Sequence, residues 1–242
     1  MSSRESRSGV ADPALQVRRQ AQLKRRRRRL GVLSLVVLLA LVAGWLLLFS
    51  PVLRASEVRV QGTALVGEDE VRQAAQVALG TPMARIDAQT IEQRVEALPE
   101  VASCNVTRTW PHTITLEITE RTLVYQAQDD TGFHWTDATG VVFHVTTETQ
   151  KVPTAHLPAN ADQQLRADIA TMLNSLSSDV RSRVQSISAG SRDNILVQLD
   201  NDQAVFWGSA DQSAEKAALL PVLLARGGST FDISSVSHPA VK

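Results

Sequence analysis

The residues able to do bond-making chemistry in this 242-residue chain are scattered and match no catalytic pattern. Cys104 is the single cysteine, which excludes an intramolecular disulfide framework and any multi-cysteine zinc site. The five histidines (His112, His134, His144, His156 and His238) stand singly and leave little room for a metal cage. There is no G-x-S-x-G elbow, G-x-x-x-x-G-K-[ST] phosphate loop, G-x-G-x-x-G turn, H-E-x-x-H helix or C-x-x-C pair. Asp129, Asp130 and Asp137 gather acids near one turn, but their spacing fits no EF-hand loop. Triads converge in space and leave little trace in sequence. With no motif for one, the expectation is a binding protein: not an enzyme, no cofactor, no metal and no small-molecule substrate.

Charge separates the chain into two environments. Residues 1–29 hold ten of the 25 basic side chains but only Glu5 and Asp12 of the 25 acidic ones. Such a block of like charge cannot bury enough surface to order itself, so a disordered tail is expected. Its last six residues, Lys24 to Arg29, could meet nucleic acid or anionic lipid. Their position directly before an apolar segment favours a role in fixing membrane topology instead, with no nucleic acid bound. That segment, LGVLSLVVLLALVAGWLLLF at 30–49, carries no charge. Twenty helical residues rise about 30 Å, enough for a bilayer core. A cleaved signal peptide would have an apolar core of about 7–15 residues. This one is longer and ends in Leu46-Leu47-Leu48-Phe49, so an uncleaved anchor is expected, stopped by Ser50-Pro51. The positive-inside rule then puts the tail in the cytoplasm and residues 51–242 outside it, as a single-pass type II protein.

Two modules are expected beyond the anchor. In the first, Val58 and Val60 alternate with polar residues before Gly62, as in a short half-buried strand. A helix follows Gly67, with Val71, Ala74, Ala75, Ala78 and Leu79 on one face and Gly80 as its stop. A second helix opens at Asp87 with the stripe Ile91, Val95 and Leu98. Two alternating strands around Cys104/Val106 and Ile114/Leu116/Ile118 come next, joined through Trp110-Pro111-His112. The order is β-α-α-β-β. In the second module, residues 133–143 read as strand, turn, strand, and Leu165, Ile169, Met172, Leu173 and Leu176 mark an amphipathic helix after Asp162. Strands are expected around Ile187, over 195–199 and over 204–208. A helix over 213–226 is expected to kink at Pro221. The final segment begins with strand character at Phe231, with Pro239 hindering further sheet pairing.

The landmarks Val58/Val60/Gly62, Gly80, Asp87/Ile91, Leu98/Pro99/Val101, Arg108/Trp110/Pro111 and Glu120/Arg121 resemble, in order and spacing, the POTRA module of the FtsQ/DivIB bacterial cell-division family. The second half resembles it more loosely, through Asp137/Gly140/Val142/Phe143, Pro153/Pro158, Trp207/Gly208, Lys216 and Phe231/Asp232/Ile233. Thr122-Leu123 and Trp207 depart from its pattern. The resemblance implies an α+β fold: a single transmembrane helix, a POTRA module (β-α-α-β-β) and a mixed β domain with flanking helices. The expected boundaries are a tail at 1–29, the helix at 30–50, a linker at 51–54, the POTRA module at 55–122 and the β domain at 123–242.

It further implies a divisome scaffold at the division septum in the cell membrane, linking early cytoplasmic-ring components to septal peptidoglycan synthesis. The implied partners are membrane proteins of FtsB/FtsL (DivIC/FtsL) type, together with the translocase FtsK. Carried onto this chain, the partner edge is Phe231, Asp232, Ile233, Ser234, Ser235 and Val236, flanked by Lys216, with a last strand expected to be short. Strand addition at such an edge gives the physical route. A POTRA-bearing chaperone or secretion adaptor is the alternative, and a membrane-tethered hydrolase is disfavoured by the missing motifs.

Overall fold

The computed structural model describes residues 29–42, 44–46 and 50–242. Residues 1–28 of the tail expected at 1–29, and residues 43 and 47–49 of the apolar segment, lie outside the described residues. Helix α1, Arg29–Leu46, is long and apolar enough to cross a membrane. Its leucines and valines are exposed, as an element solvated by lipid would present them.

The chain forms two compact units. One gathers α1 and the segments 50–58, 77–87 and 108–114. Within it Ala55 N–H donates to Thr81 C=O (2.9 Å), Gly80 N–H to Ala55 C=O (2.8 Å) and Ser56 N–H to His112 C=O (2.9 Å). Arg108 donates to the Ile86 carbonyl at 2.7 Å.

The other unit holds segments 59–76, 88–107 and 115–242. Helix α2, Glu68–Ala75, begins with three acids that suit the positive end of the helix dipole, and Arg72 pairs with Glu68 (2.6 Å) and Asp69 (2.7 Å). It ends earlier than the apolar spacing suggested. Gln76 turns left-handed at φ 46°, so Ala78 and Leu79 leave the helix and Leu79 is exposed. Helix α3 is Ala88–Val95 and buries Ile91 and Val95. Strands β1 (Glu57–Gln61), β2 (Val101–Thr109) and β3 (Thr113–Glu120) form a sheet in the order β1-β3-β2.

A nine-stranded sheet follows. Its strands are β4 (Tyr125–Asp129), β5 (Gly132–Thr136), β6 (Val142–Thr146), β7 (Thr154–His156), β8 (Val184–Ser191), β9 (Asn194–Leu199), β10 (Ala204–Gly208), β11 (Thr230–Asp232) and β12 (Ala240–Val241). The spatial order is β12-β11-β10-β9-β8-β7-β4-β5-β6. Helix α4 (Gln163–Ser175) and the short α5 (Ser178–Ser182) bridge the parallel pair β7/β8, and α6 (Ser213–Ala225) bridges the parallel pair β10/β11. β8 runs antiparallel to β9 and β9 to β10, so both crossovers step the same way along the sheet. Right-handed connections then put α4 and α6 on one face. There Leu165, Ile169, Met172 and Leu173 of α4 and Leu220 and Leu223 of α6 close over Ile187, Ile195, Val197, Val205 and Trp207. Asp162 caps α4 by accepting from Leu165 N–H at 2.8 Å. Gly140, at φ +77°, packs against the start of α4, where a Cβ would lie 2.3 Å from the Gln163 carbonyl oxygen. Helix α6 runs on through Pro221.

Candidate partner-binding site

The residues proposed from sequence fall on β11, the loop after it, and α6. Phe231 and Ile233 are fully buried, and Ile233 N–H donates to Phe206 C=O at 3.0 Å. They belong to the core between the sheet and α6. Lys216 is 1% exposed, and its ammonium donates to the carbonyls of Trp207 (3.0 Å) and Ser209 (2.8 Å). Burial pushes its pKa down, partly offset by the charge of Asp211. These three side chains hold the last strands from inside and present nothing to a partner. Asp232 is half-buried and accepts from Ser234 N–H (3.0 Å) and Oγ (2.7 Å). Ser234 and Ser235 are exposed and Val236 is half-buried.

Phe231–Val236 is not the outermost segment, which corrects the sequence expectation. Ala240–Val241 pairs antiparallel outside it, as Phe231 with Val241 and Asp232 with Ala240. Pro239 does not prevent this, because it precedes the strand, where its missing N–H removes no ladder bond. Thr230 and Lys242 exchange both backbone bonds, at 3.0 and 2.9 Å. Bonded and non-bonded pairs alternate in an antiparallel ladder, so Val241 directs its own N–H and C=O away from β11. The outer edge is therefore centred on Val241, a residue the sequence reading missed. An apolar pair straddling position 240 just after a proline was the available signal. The opposite edge of the sheet is β6, where His144 Nδ1 lies 3.6 Å from Glu100.

Two family landmarks meet where the sheets join. Arg121 donates to Asp137 Oδ2 at 2.6 Å and to the Pro99 carbonyl at 3.0 Å, and its backbone N–H donates to Glu100. Asp137 also accepts from the N–H of Thr139 (2.9 Å) and Val141 (2.9 Å). Burial alone would raise this carboxyl; the guanidinium and these donors outweigh it and hold it below its ordinary value. Next to Arg121, one oxygen of Glu120 accepts from the N–H groups of Ala64 (2.8 Å), Leu65 (2.8 Å) and Val66 (2.9 Å). Burial raises and these three donors lower its pKa, with a net lowering. Glu120→Ala removes the acceptor and is expected to cost about 1–3 kcal/mol, read by urea unfolding.

The nearest approach to a catalytic constellation is Asp129, Thr131 and His134 at the β4–β5 turn. Thr131 Oγ1 donates to Asp129 at 2.6 Å, and the same ring nitrogen, His134 Nε2, lies 2.9 Å from both Thr131 Oγ1 and Asp129 Oδ2. A proton relay uses the two ring nitrogens on different partners, so this is turn chemistry. Among the described residues no group of three His, Cys, Asp or Glu side chains could hold a metal ion.

Comparison with known proteins agrees with this architecture. Residues 53–121 match the family described as POTRA domain, FtsQ-type, and residues 125–236 match Cell division protein FtsQ/DivIB, C-terminal. The chain is 35% identical to the cell division protein FtsQ of Mycolicibacterium smegmatis over 244 residues, covering 99% of this chain and 72% of that protein. Identity to the FtsQ of Streptomyces bingchenggensis is 33%, covering 93% of this chain and 89% of the relative. For the FtsQ of Mycobacterium tuberculosis it is 34%, covering 89% and 70%. A solved extracytoplasmic domain of DivIB from Geobacillus stearothermophilus aligns with 44% of this chain and 93% of its own, at 18% identity and a TM-score of 0.36. With both modules matched in order behind one apolar helix, and relatives at about a third identity covered over more than two thirds of their length, the chain belongs to the FtsQ/DivIB family of bacterial cell-division proteins.

Proposed function

We propose that this chain is a non-catalytic, membrane-anchored scaffold of the division septum, linking early cytoplasmic-ring components to the proteins of septal peptidoglycan synthesis. It sits with its N-terminus in the cytoplasm and residues 51–242 outside. The POTRA module spans 55–122 and the β domain 123–242. Its partners are membrane proteins of FtsB/FtsL or DivIC/FtsL type, and FtsK.

The observation that carries this reading is the outward-facing backbone of Val241 at the edge of the nine-stranded sheet. An extended partner segment adds there as a further strand, with Asp232, Ser234, Ser235 and Val236 beside it and Phe231, Ile233 and Lys216 supporting it from the core. Anchoring of both chains in one membrane raises their effective concentration, so a short edge suffices.

Depletion in a strain carrying a fluorescent fusion tests the role. The proposal expects the fusion at mid-cell and, as the protein falls, long cells without completed septa. Normal septation with an export or envelope-assembly defect would instead favour a chaperone or secretion adaptor.

A further inference from the structure

The smaller sheet has its own outer strand, β2, on the far side of β3 from β1. Outer strands present backbone donors and acceptors at every second residue, a template for another chain. In a membrane-anchored protein, copies share one plane, which makes pairing between such edges more favourable. Two donors of β2 are already taken. Cys104 N–H donates to Glu96 Oε1 at 3.1 Å and Val106 N–H to Glu92 Oε1 at 2.9 Å.

The spacing explains how one helix can serve both. Residues four apart on a helix lie on one face about 6 Å apart along the axis. Residues two apart on a strand are about 6.6 Å apart, with their N–H groups on the same side. Glu92 ends up opposite one amide and Glu96 opposite the next. The turn that carries Glu96 is held by its N–H on the Glu92 carbonyl at 2.8 Å. The side chains of Cys104 and Val106 point into the core, so the strand cannot turn these amides elsewhere without unpacking.

We infer that Glu92 and Glu96 act as a surrogate strand, closing the β2 edge of the POTRA module against strand addition, in the first place by β2 of a second copy of this chain. The arrangement bars strand addition at β2, and it stands whichever partner the larger sheet takes. The same two carboxylates, after burial, push the Cys104 thiol up to about 11, which keeps this lone cysteine protonated.

The test uses the full-length chain in detergent micelles, as wild type, E92A/E96A and E92Q/E96Q. Glutamine keeps the carbonyl acceptor and removes the charge. Amide hydrogen exchange at Cys104 and Val106 and molecular mass by light scattering are read over a range of protein concentrations. In dilute protein the alanine pair should exchange both amides on the order of tenfold faster than wild type. At high concentration it should dimerise, while the glutamine pair stays close to wild type in both respects. If the alanine pair unfolds the module, the single variants carry the test: E92A should speed exchange at Val106 alone and E96A at Cys104 alone. Unchanged exchange at these amides, or an alanine pair that stays monomeric wherever wild type does, overturns the inference.

Discussion

Trp207→Ala is expected to destabilise the β domain by about 3–5 kcal/mol, the usual loss for emptying a large buried aromatic site. Trp207 is fully buried between β10 and α6. Its indole N–H donates to Ser213 Oγ at 3.3 Å, and the Lys216 ammonium stands 6.0 Å from the ring centroid while bonded to the Trp207 carbonyl. Truncation leaves a cavity beneath the start of α6 and removes one wall of the Lys216 site. Trp207→Leu should lose less because part of the volume remains. Guanidinium unfolding followed by far-ultraviolet circular dichroism measures both. A loss under 1 kcal/mol for the alanine variant would mean that the helix packs elsewhere.

Asp137→Ala is expected to cost about 3–5 kcal/mol, as breaking a largely buried ion pair does. The side chains of Arg121 and Asp137 are 19% and 9% exposed, so the arginine left behind loses its compensating charge in a largely buried site. The Thr139 and Val141 amides lose their acceptor as well. The pair also sets an acid limit on stability. Because the folded carboxyl titrates below its unfolded value, its contribution is complete above the ordinary aspartate pKa of about 3.9 and disappears as pH falls through the lower folded value. Wild type should therefore lose more stability than Asp137→Ala between about pH 5 and the acid transition. Parallel pH dependences would contradict the assignment.

Much of the architecture was legible because local patterns and tertiary contacts agree. The Asp162 cap and the apolar stripe from Leu165 to Leu176 gave α4, and the alternation around Cys104 and Ile114 gave β2 and β3. Helix α2 was read too long because Ala78 and Leu79 continue its period, while backbone bonding of Gly80 and Thr81 to Ala55 draws the chain away. Strands β4 and β7 escaped notice. Buried Gln126 breaks the alternation of β4, and only the bonds from its side-chain amide to Thr149, Gln150 and Thr154 make a polar residue fit there. In β7 just three residues pair, each in parallel with a distant strand. For the proposed site, spacing pointed to one end of the nine-stranded sheet, but which residues line that edge depends on β12 folding back outside β11. Lys216 was expected to flank the partner edge, and its burial was not foreseen because its two acceptors, the carbonyls of Trp207 and Ser209, are invisible in sequence.

We propose that a partner strand adds at Val241. Val241→Pro removes an outward N–H and leaves the β11 ladder intact, whereas Ile233→Pro removes a bond to Phe206 inside the sheet and should impair folding itself. The decisive measurement is co-purification of FtsB- and FtsL-type partners from membranes with wild type and Val241→Pro, at matched expression and matched thermal unfolding. Folded Val241→Pro is expected to lose most of its bound partner. Full retention by that variant would contradict it.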